Sequence, residues 1–408
     1  MKKYVFLTEH LSGLTGSVRY VNNKCKLLRE KGWDVVVFWN YNIAPVELEH
    51  IMCFDNEKYI QHELKFYPSW YSERGRNRVV ERLVAVIGDA DQIVIESSKL
   101  ELAAWGEFLA KSLNCKHIIF VLTEQIKIRN KETFDFCFAK MRKKEFFTIN
   151  ESAVRYLFSN FVNIVNPEDY YWSASQSVKV EHYAFPSFDG LSKADYTITS
   201  FGRRKDYFPY MLKEIKYFIL QHPEKKINLF FLGEISDEKD IKESLSLNNV
   251  NLVVYPKSVE IVPKQIFSQS DVVVATAGCA WLSYKNGGKT IAMNVNDSKP
   301  LGLLGYTTLD CNTNSGKYNN DRSLSEWLQT ILVDKTEFDL MEFRKTPHTF
   351  DYQMRYVNQC DCMYIDSSKV DEPMTRHDRL FALLIRLGLF HVVEYFYYKR
   401  RGVKVIWR

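Results

Sequence analysis

The sequence has few of the features that define whole classes of proteins. It contains no low-complexity tract and no long block of like charge, which argues against a disordered scaffold. The N-terminal stretch MKKYVFLTEHLSG has only a short apolar run, which ends at Thr8, Glu9 and His10, whereas a secretory leader needs about 7–15 apolar residues in succession. We therefore expect a first β-strand at this position and a cytoplasmic protein.

Zinc-binding and nucleotide-loop patterns are scarce as well. The eight cysteines are scattered apart from Cys360 and Cys362, and no second pair completes a zinc site. Gly13 and Gly16 follow the first apolar stretch, but they form neither the dinucleotide pattern G-x-G-x-x-G nor the P-loop pattern. A nicotinamide-dependent oxidoreductase is therefore the weakest of the functions we consider.

The composition that is present belongs to a soluble globular protein, with 46% apolar and 26% charged residues. The 408 residues fit two domains of roughly 150–200 residues each. The net charge of +5 is mild for this length, so it allows an anionic ligand or surface but does not argue for nucleic acid.

Short apolar strands alternate with amphipathic helical stretches along most of the chain. The predicted strands are KYVFLT, WDVVVFW, DQIVIES and KHIIFVLTE, and later YTITSFG, INLFFLG, VNLVVY, DVVVATAG and KTIAMNV. This pattern is typical of parallel sheets covered by helices on both faces, so we predict an α/β fold of two Rossmann-like doubly wound domains that face a cleft. Pro186 and Gly190 indicate a linker. We predict domains over 1–190 and 191–375 and an amphipathic basic tail over 376–408.

The stretch SFGRRKDYF, residues 200–208, places three cations directly after a predicted strand. Arg203, Arg204 and Lys205 would then lie beside a helix N-terminus, where guanidinium and backbone N–H groups can hold a phosphate. An ordinary basic surface turn is the alternative, and the residues alone leave both open.

Together with the strand before it, this stretch resembles the start of the second domain of GT-B glycosyltransferases, in the large group-4-like branch. That family has a strand, a GR pair and a nearby lysine there, and GGKTIAM and FFTINESAVRYL resemble two further family segments. The resemblance implies an enzyme of hexosyltransferase type that needs no cofactor or metal. It implies a nucleotide-diphosphate sugar as donor and a glycan or lipid-linked acceptor in cell-surface polysaccharide synthesis.

The resemblance also implies roles for individual residues. Arg203 and Lys205 would bind the donor diphosphate, with Arg204 as a rival for either role. Further positions expected at the donor site are Gly13, Gly16, Gly233, Glu234, Ala277, Gly278, Ser283, Tyr284, Asn286, Asn296 and Asp297. For Asn296 and Asp297 an Asx-type turn is the alternative.

The chain departs from the family between DVVV and GGKTIAM. The family usually has two glutamates there, which contact the sugar and the ribose, whereas ATAGCAWLSYKNGG contains no carboxylate. Backbone groups of Ala277, Gly278 and Cys279 and side chains of Ser283, Tyr284 or Asn286 are the expected replacements. A catalytically silent GT-B relative that acts as a partner protein remains an alternative, as does a nonhydrolysing sugar-nucleotide epimerase.

Three residues are candidates for acid–base chemistry. Glu96 and Glu124 end predicted strands, where a carboxylate could deprotonate or orient an acceptor hydroxyl, and His10 lies beside the glycine loop. A carboxylate at a helix N-terminus and a packed histidine are the structural alternatives.

The C-terminal stretch 379–408 is very apolar but is interrupted by Arg386, His391 and Glu394, so it does not form a clean spanning helix. Its aromatic residues and the cations Lys399 to Arg401 fit an interfacial helix on an anionic membrane, at the inner face of the cell membrane. Packing of this stretch on the first domain is the alternative.

Overall fold

The computed structural model divides the chain into two compact units, residues 1–176 with 346–408 and residues 177–345. It describes residues 1–9, 11, 16–40, 59–123, 126–166, 170–172, 179–202, 206–233, 238–257, 259, 261–311, 321–341, 353–355, 364–371 and 374–400.

Unit 1 is built on a five-stranded parallel sheet with the strand order β2-β1-β3-β4-β5. Its strands are β1 (Lys2–Thr8), β2 (Trp33–Trp39), β3 (Gln92–Ser97), β4 (Lys116–Val121) and β5 (Phe146–Thr148). Its first helices are α1 (Gly16–Glu30), α2 (Glu73–Ile87), α3 (Leu100–Leu113), α4 (Lys131–Arg142) and α5 (Glu151–Phe158).

The first strand shows why this sheet is covered on both faces. Alternate side chains of a strand point to opposite faces. Tyr4 and Phe6 pack with residues of α1, whereas Val5 and Leu7 pack with residues of α2 and α3. An apolar run without polar alternation therefore fits only a strand buried between two helical layers.

Unit 2 contains a six-stranded sheet with the order β13-β12-β11-β7-β8-β9, in which only β13 is antiparallel to its neighbour. Its strands are β7 (Tyr196–Phe201), β8 (Ile227–Leu232), β9 (Val250–Tyr255), β11 (Val272–Ala275), β12 (Thr290–Met293) and β13 (Pro300–Leu303). A separate parallel pair is formed by β6 (Lys179–Glu181) and β10 (Ile261–Pro263).

The helices of unit 2 complete a doubly wound arrangement. They are α6 (Pro186–Asp189), α7 (Phe208–Gln221), α8 (Glu238–Leu245), α9 (Gln265–Ser268), α10 (Ala277–Lys285) and α11 (Leu324–Leu328), and the π-helical turn Gln329–Val333 continues α11. The predicted α/β class with two Rossmann-like doubly wound domains is confirmed.

The predicted linker at Pro186 and Gly190 is wrong for these residues. Pro186 is the first residue of α6, where its fixed φ suits a helical start, and Gly190 ends that turn. Phe185 and Phe188 are buried in the core of unit 2 beside Phe230. Residues 177–190 accordingly group with unit 2, although the sequence prediction placed them in the first domain.

The chain returns to unit 1 after unit 2. Residues 346–408 group with unit 1, whereas the sequence prediction assigned 346–375 to the second domain. Asp371 anchors this return, because its carboxylate accepts hydrogen bonds from Ser69 and Trp70 and its carbonyl accepts one from Thr133.

Two helices end the described chain, α12 (Arg376–Arg386) and α13 (Phe390–Arg400). Thr375 and Asp378 form a capping box at the start of α12. Ala382, Ile385 and Val393 are buried in the core of unit 1 with Trp105, so one side of these helices packs as the packing alternative predicted. No helix within the described ranges is both long and apolar enough to span a membrane.

Candidate functional site

The strand order of unit 2 places a switch point between β7 and β11. From β7 the chain moves outward through β8 to β9, and then returns to β11 on the other side of β7. Ligands of such sheets bind outside the carboxyl ends of the strands at this point. The residues that follow β7, β8 and β11 are therefore positioned to contact such a ligand.

Two glycines bring the ends of β7 and β8 together. Gly202 and Gly233 follow these strands with φ angles of +130° and +150°, which L side chains rarely adopt. A Cβ atom on Gly233 would lie 2.0 Å from the carbonyl oxygen of Gly202, and one on Gly202 would lie 3.3 Å from Sγ of Cys279. The edge is consequently lined by backbone, which a ligand can approach closely.

The start of α10 is fixed by contacts beyond the helix itself. The Thr276 hydroxyl lies 2.9 Å from the carbonyl oxygen of Met293 and 3.1 Å from that of Cys311, and the Ala277 N–H donates to the same Cys311 oxygen. Ala277 has a left-handed φ of +52°, which is strained for a residue with a Cβ. Gly278 follows it and is exposed.

This arrangement can bind an anion. The N–H groups in the first turn of a helix have no intrahelical acceptor and point out of the helix start, where the helix dipole is positive. Ala277 and Gly278 lie in that turn, although the sequence predicted them at the end of a strand, and Gly202 and Gly233 follow β7 and β8 in the same sheet. The predicted cations Arg203, Arg204 and Lys205 directly follow Gly202 but lie outside the described residues, as does Glu234.

The other side chains predicted on α10 make internal contacts. Ser283 is buried and lies 2.8 Å from the Thr290 hydroxyl, and the Asn286 amide donates to the Leu282 carbonyl oxygen at 2.8 Å. The ring of Tyr284 lies against Gly305, where a Cβ atom would meet it at 2.3 Å. All three belong to the end of α10, away from the helix start at the switch point.

Asn296 and Asp297 form the turn that was the alternative to a ligand contact. The Lys299 N–H donates to Oδ1 of Asp297 at 3.0 Å, and the Asn296 N–H donates to Oδ1 of Asn294 at the same distance. These are Asx-type turns, which hold the chain between β12 and β13.

Unit 1 has its own switch point, between β1 and β3, and two charged residues there were missed by sequence reasoning. Nζ of Lys99 lies 2.6 Å from a carboxylate oxygen of Glu9 and 3.9 Å from one of Glu101. Burial raises the pKa of Glu101, although the Lys99 charge acts against it. The available signal was that Glu9 comes directly after one predicted strand and Lys99 two residues after another. Gly16 begins α1 close by, whereas His10 and Gly13 lie outside the described residues.

Glu96 lies in the interior of unit 1, although we expected its carboxylate at the edge of the sheet. It is the last but one residue of β3, and strand alternation points it toward α1, on the same face as Tyr4. Its carboxylate oxygens lie 2.5 Å from the Tyr4 hydroxyl, 2.8 Å from that of Tyr20 and 2.5 Å from Nζ of Lys24. Glu124 lies outside the described residues.

Lys24 is enclosed as completely as its partner. Both side chains are 3% exposed, and Nζ of Lys24 lies 5.2 Å from the ring centroid of Trp172. Burial lowers the pKa of Lys24, whereas the contact with Glu96 acts in the opposite direction. This enclosed pair can orient α1 against the sheet, but it cannot meet a substrate in this arrangement.

A second buried cluster has the residue types of a hydrolytic triad. Nε2 of His117 lies 2.9 Å from Oγ of Ser97, and Nδ1 lies 2.7 Å from a carboxylate oxygen of Glu107. Ser97 is fully buried, and its hydroxyl also contacts the carbonyl oxygen of Leu102. Lys140 lies 2.6 Å from Glu107. The cluster therefore has a structural role, because no substrate can reach its serine.

A surface groove and the distribution of metal-ligating side chains complete the description of possible sites. A groove of about 410 Å³ runs along the exposed side of α2, where Glu73, Arg74, Asn77, Arg78 and Glu81 line it with charges of both signs. In the described part of the chain, no three metal-ligating side chains come together.

Comparisons with known proteins identify the fold. No family model matches the chain, and no curated protein matches its sequence. A glycosyltransferase structure from Rickettsia africae matches with a TM-score of 0.50, 13% identity and 98% of each chain covered. The structure of Anabaena HepE in complex with UDP-glucose matches with a TM-score of 0.50 and 11% identity, over 96% of this chain and 99% of HepE. The predicted resemblance to GT-B glycosyltransferases is thus confirmed at the level of the fold.

Proposed function

We propose that this chain is a glycosyltransferase that moves a sugar from a nucleotide-diphosphate sugar to an acceptor. The observation that carries the proposal is the edge of the unit 2 sheet. There, Gly202, Gly233 and the start of α10 present backbone at a switch point, in a fold shared with a protein solved with UDP-glucose. A diphosphate is the ligand that suits such an edge, since it needs donors and a close approach.

The chemistry would be mainly electrostatic. When the sugar leaves, negative charge develops on the diphosphate, and fixed donors aimed at that charge lower the barrier. The backbone N–H group of Gly278 would supply one part of this stabilisation, whereas that of Ala277 already donates to the Cys311 carbonyl oxygen. Arg203 and Lys205 would supply the other part, with Arg204 able to replace either cation. Glu234 stays a proposed donor contact on its sequence position.

The proposed acceptor groups belong to unit 1. His10 and Glu124 remain the candidates for the base that deprotonates the acceptor hydroxyl. Glu9 and Lys99 join them as charged groups at the unit 1 switch point. Gly13 and Gly16 would let backbone approach the donor or the acceptor. Glu96 supports this region through α1 instead of touching the substrate.

The finer parts of the proposal rest on the sequence resemblance. They are a hexosyl donor, catalysis without a metal, and a glycan or lipid-linked acceptor in cell-surface polysaccharide synthesis on the cytoplasmic side of a membrane.

Thermal unfolding with nucleotides tests the donor site directly. UDP, GDP, ADP, their sugar conjugates and NAD are compared, and one nucleotide diphosphate should raise the melting temperature selectively. At about 100 times its dissociation constant a ligand adds roughly 2.7 kcal/mol. Arg203→Ala should weaken this stabilisation much more than Arg400→Ala. Equal effects of the two substitutions, or no stabilisation by any nucleotide diphosphate, would contradict the proposal.

The base is tested by turnover in a protein that still binds donor. His10→Gln and Glu124→Gln are compared with the parent protein at saturating donor, and the base should lose turnover while nucleotide stabilisation stays intact. Full turnover in both variants would remove both residues from this role.

A catalytically silent relative is the second candidate, and the absence of carboxylates from residues 275–288 favours it. Such a protein would act as a partner and would bind no donor nucleotide. The thermal measurement therefore separates the two candidates. A nonhydrolysing epimerase would instead convert the nucleotide sugar without any acceptor.

A further inference from the structure

The helices α12 and α13 leave one side uncovered. Six apolar side chains on that side are 42% to 67% exposed, and we call them the α12–α13 face: Leu380, Leu383, Leu387, Leu389, Val392 and Phe396. They follow the same spacing, i, i+3 and i+7, along each helix and the residue that adjoins it, since Leu387 directly follows α12 and Leu389 directly precedes α13. Single exposed apolar residues are ordinary, but an aligned group on two adjoining helices marks an interaction surface.

The α12–α13 face is separate from the side that packs on unit 1. Ala382, Ile385 and Val393 are buried against the core that contains Trp70 and Trp105. The turn between the helices passes through Gly388, which has a φ of +81°. The helices therefore need no rearrangement to present the exposed leucines, because their opposite contacts already hold them in place.

The charges around this face have one sign. Within residues 374–400, the exposed side chains of fixed charge are all basic: Arg376, Arg379, Arg386 and Lys399. The two acidic side chains of this segment are engaged elsewhere. Asp378 caps α12 through Thr375, and Glu394 lies 3.3 Å from Nδ1 of His62.

From this combination we infer that the α12–α13 face docks on an anionic lipid surface. The leucines and Phe396 would enter the boundary between headgroups and acyl chains, while the arginines and Lys399 contact lipid phosphates. The basic residues favour this occupant over an apolar patch on a second copy of the chain, because two copies would bring like charges together. The inference does not depend on the donor site, and it specifies which surface of the proposed transferase would contact the membrane.

Sedimentation of the full chain with vesicles tests the inference. Vesicles of phosphatidylcholine and phosphatidylglycerol in equal parts are compared with vesicles of phosphatidylcholine alone. The protein should bind the anionic vesicles about tenfold more tightly or better, and added salt should weaken that preference. Binding to neither kind of vesicle, or equal binding to both, would overturn the inference.

Two double variants probe the two components of the surface. Leu383→Ser/Leu387→Ser removes apolar contact, and Arg376→Gln/Arg379→Gln removes charge. Each should reduce binding to the anionic vesicles by about tenfold or more. The matched controls lie on α7, where Tyr217 and Leu220 are 55% and 58% exposed: Tyr217→Ser/Leu220→Ser and Lys213→Gln should bind as the parent does.

Three further readouts separate the outcomes. Unfolding midpoints identify any variant that fails to fold, although the exposure of Leu383 and Leu387 makes both substitutions tolerable. Variants that bind vesicles as the parent does would refute the inference. A dimer that the leucine variant converts to a monomer, without vesicle binding by the parent, would assign the face to a second copy instead. Nucleotide stabilisation should be the same in all variants, so failure here leaves the donor-site proposal intact.

Discussion

Nζ of Lys24 and Oε2 of Glu96 lie 2.5 Å apart inside unit 1, where helix α1 meets strand β3. Two tyrosine hydroxyls complete the shell of the carboxylate, so neither charge is left without a partner. Residues separated by 72 positions in the chain thus join the first helix to the third strand.

Removal of one member of this pair should be costly. Lys24→Met leaves the Glu96 carboxylate buried without its cation, and we expect the free energy of unfolding to fall by about 3–5 kcal/mol. Urea unfolding measures the change, and Lys26→Met on the exposed side of α1 is the control. In the double variant Lys24→Met/Glu96→Gln the free energy of unfolding should fall by less than the sum of the losses in the two single variants. A loss no larger than that of the control would show that the pair contributes nothing.

Gly106 allows His117 and Ser97 to meet. A Cβ atom at this position would lie 2.4 Å from both Nε2 of His117 and Oγ of Ser97. Gly106→Ala should therefore lower the free energy of unfolding by about 1–3 kcal/mol, despite the higher helix propensity of alanine. Gly75→Ala is the control, since its nearest neighbour is the side chain of Ser72 at 3.3 Å. Equal stability of the two variants would contradict this assignment.

The same cluster should make the protein less stable in acid. Burial lowers the pKa of His117 below 6.5; the Lys140 charge adds to this, and Glu107 opposes it. Burial acts to raise the pKa of Glu107, but the hydrogen bond and charge of His117, together with Lys140, lower it to about 2.

For both groups the folded state binds fewer protons than the unfolded state. Their contributions to the free energy of unfolding are complete above the unfolded pKa values and are lost as the pH falls. The contribution of His117 is lost from pH 6.5 downward, and that of Glu107 is lost between pH 4.5 and about 2. Urea unfolding at a series of pH values should show this decline. His117→Gln should flatten it above pH 4.5, and an unchanged slope there would exclude the histidine as a cause.

The strained start of α10 gives opposite expectations for two neighbouring alanines. Ala277 has a φ of +52°, so Ala277→Gly should leave the free energy of unfolding unchanged or raise it by up to about 1 kcal/mol. Ala280 lies inside the same helix and is buried, so Ala280→Gly should lower it by about 1 kcal/mol. Thermal unfolding compares the two, and a larger loss for Ala277→Gly would contradict the strain.

The strands were predictable because each is an apolar run that matches its length in the sheet. KYVFLT became β1 and WDVVVFW became β2, and the alternation with helices was enough to predict the parallel arrangement. The buried position of the Glu96 side chain was not predictable in this way. A strand end has two faces, and only the packing of α1 decides that this face is closed by Tyr4, Tyr20 and Lys24.

The residues of the candidate site likewise differ in how far the sequence predicts their positions and contacts. The glycines after β7 and β8 were accessible to sequence reasoning, since they end apolar strands, whereas the predicted strand DVVVATAG continued past Ala275 into the start of α10. Ser283 was not, because its contact with Thr290 depends on how the end of α10 packs on β12, and the Asn286 amide donates to the Leu282 carbonyl oxygen of its own helix end. The sequence thus predicts where a strand ends better than it predicts which contacts the polar residues beyond that end make.

The return of residues 346–408 to unit 1 has a consequence for biosynthesis. A ribosome releases all of unit 2 before it releases the helices that cover Trp70 and Trp105, whereas domains generally fold as they emerge. The second unit can therefore be folded while the first still lacks part of its core. A nascent chain stalled near residue 345 would carry that apolar surface open, as a ready substrate for chaperones and proteases.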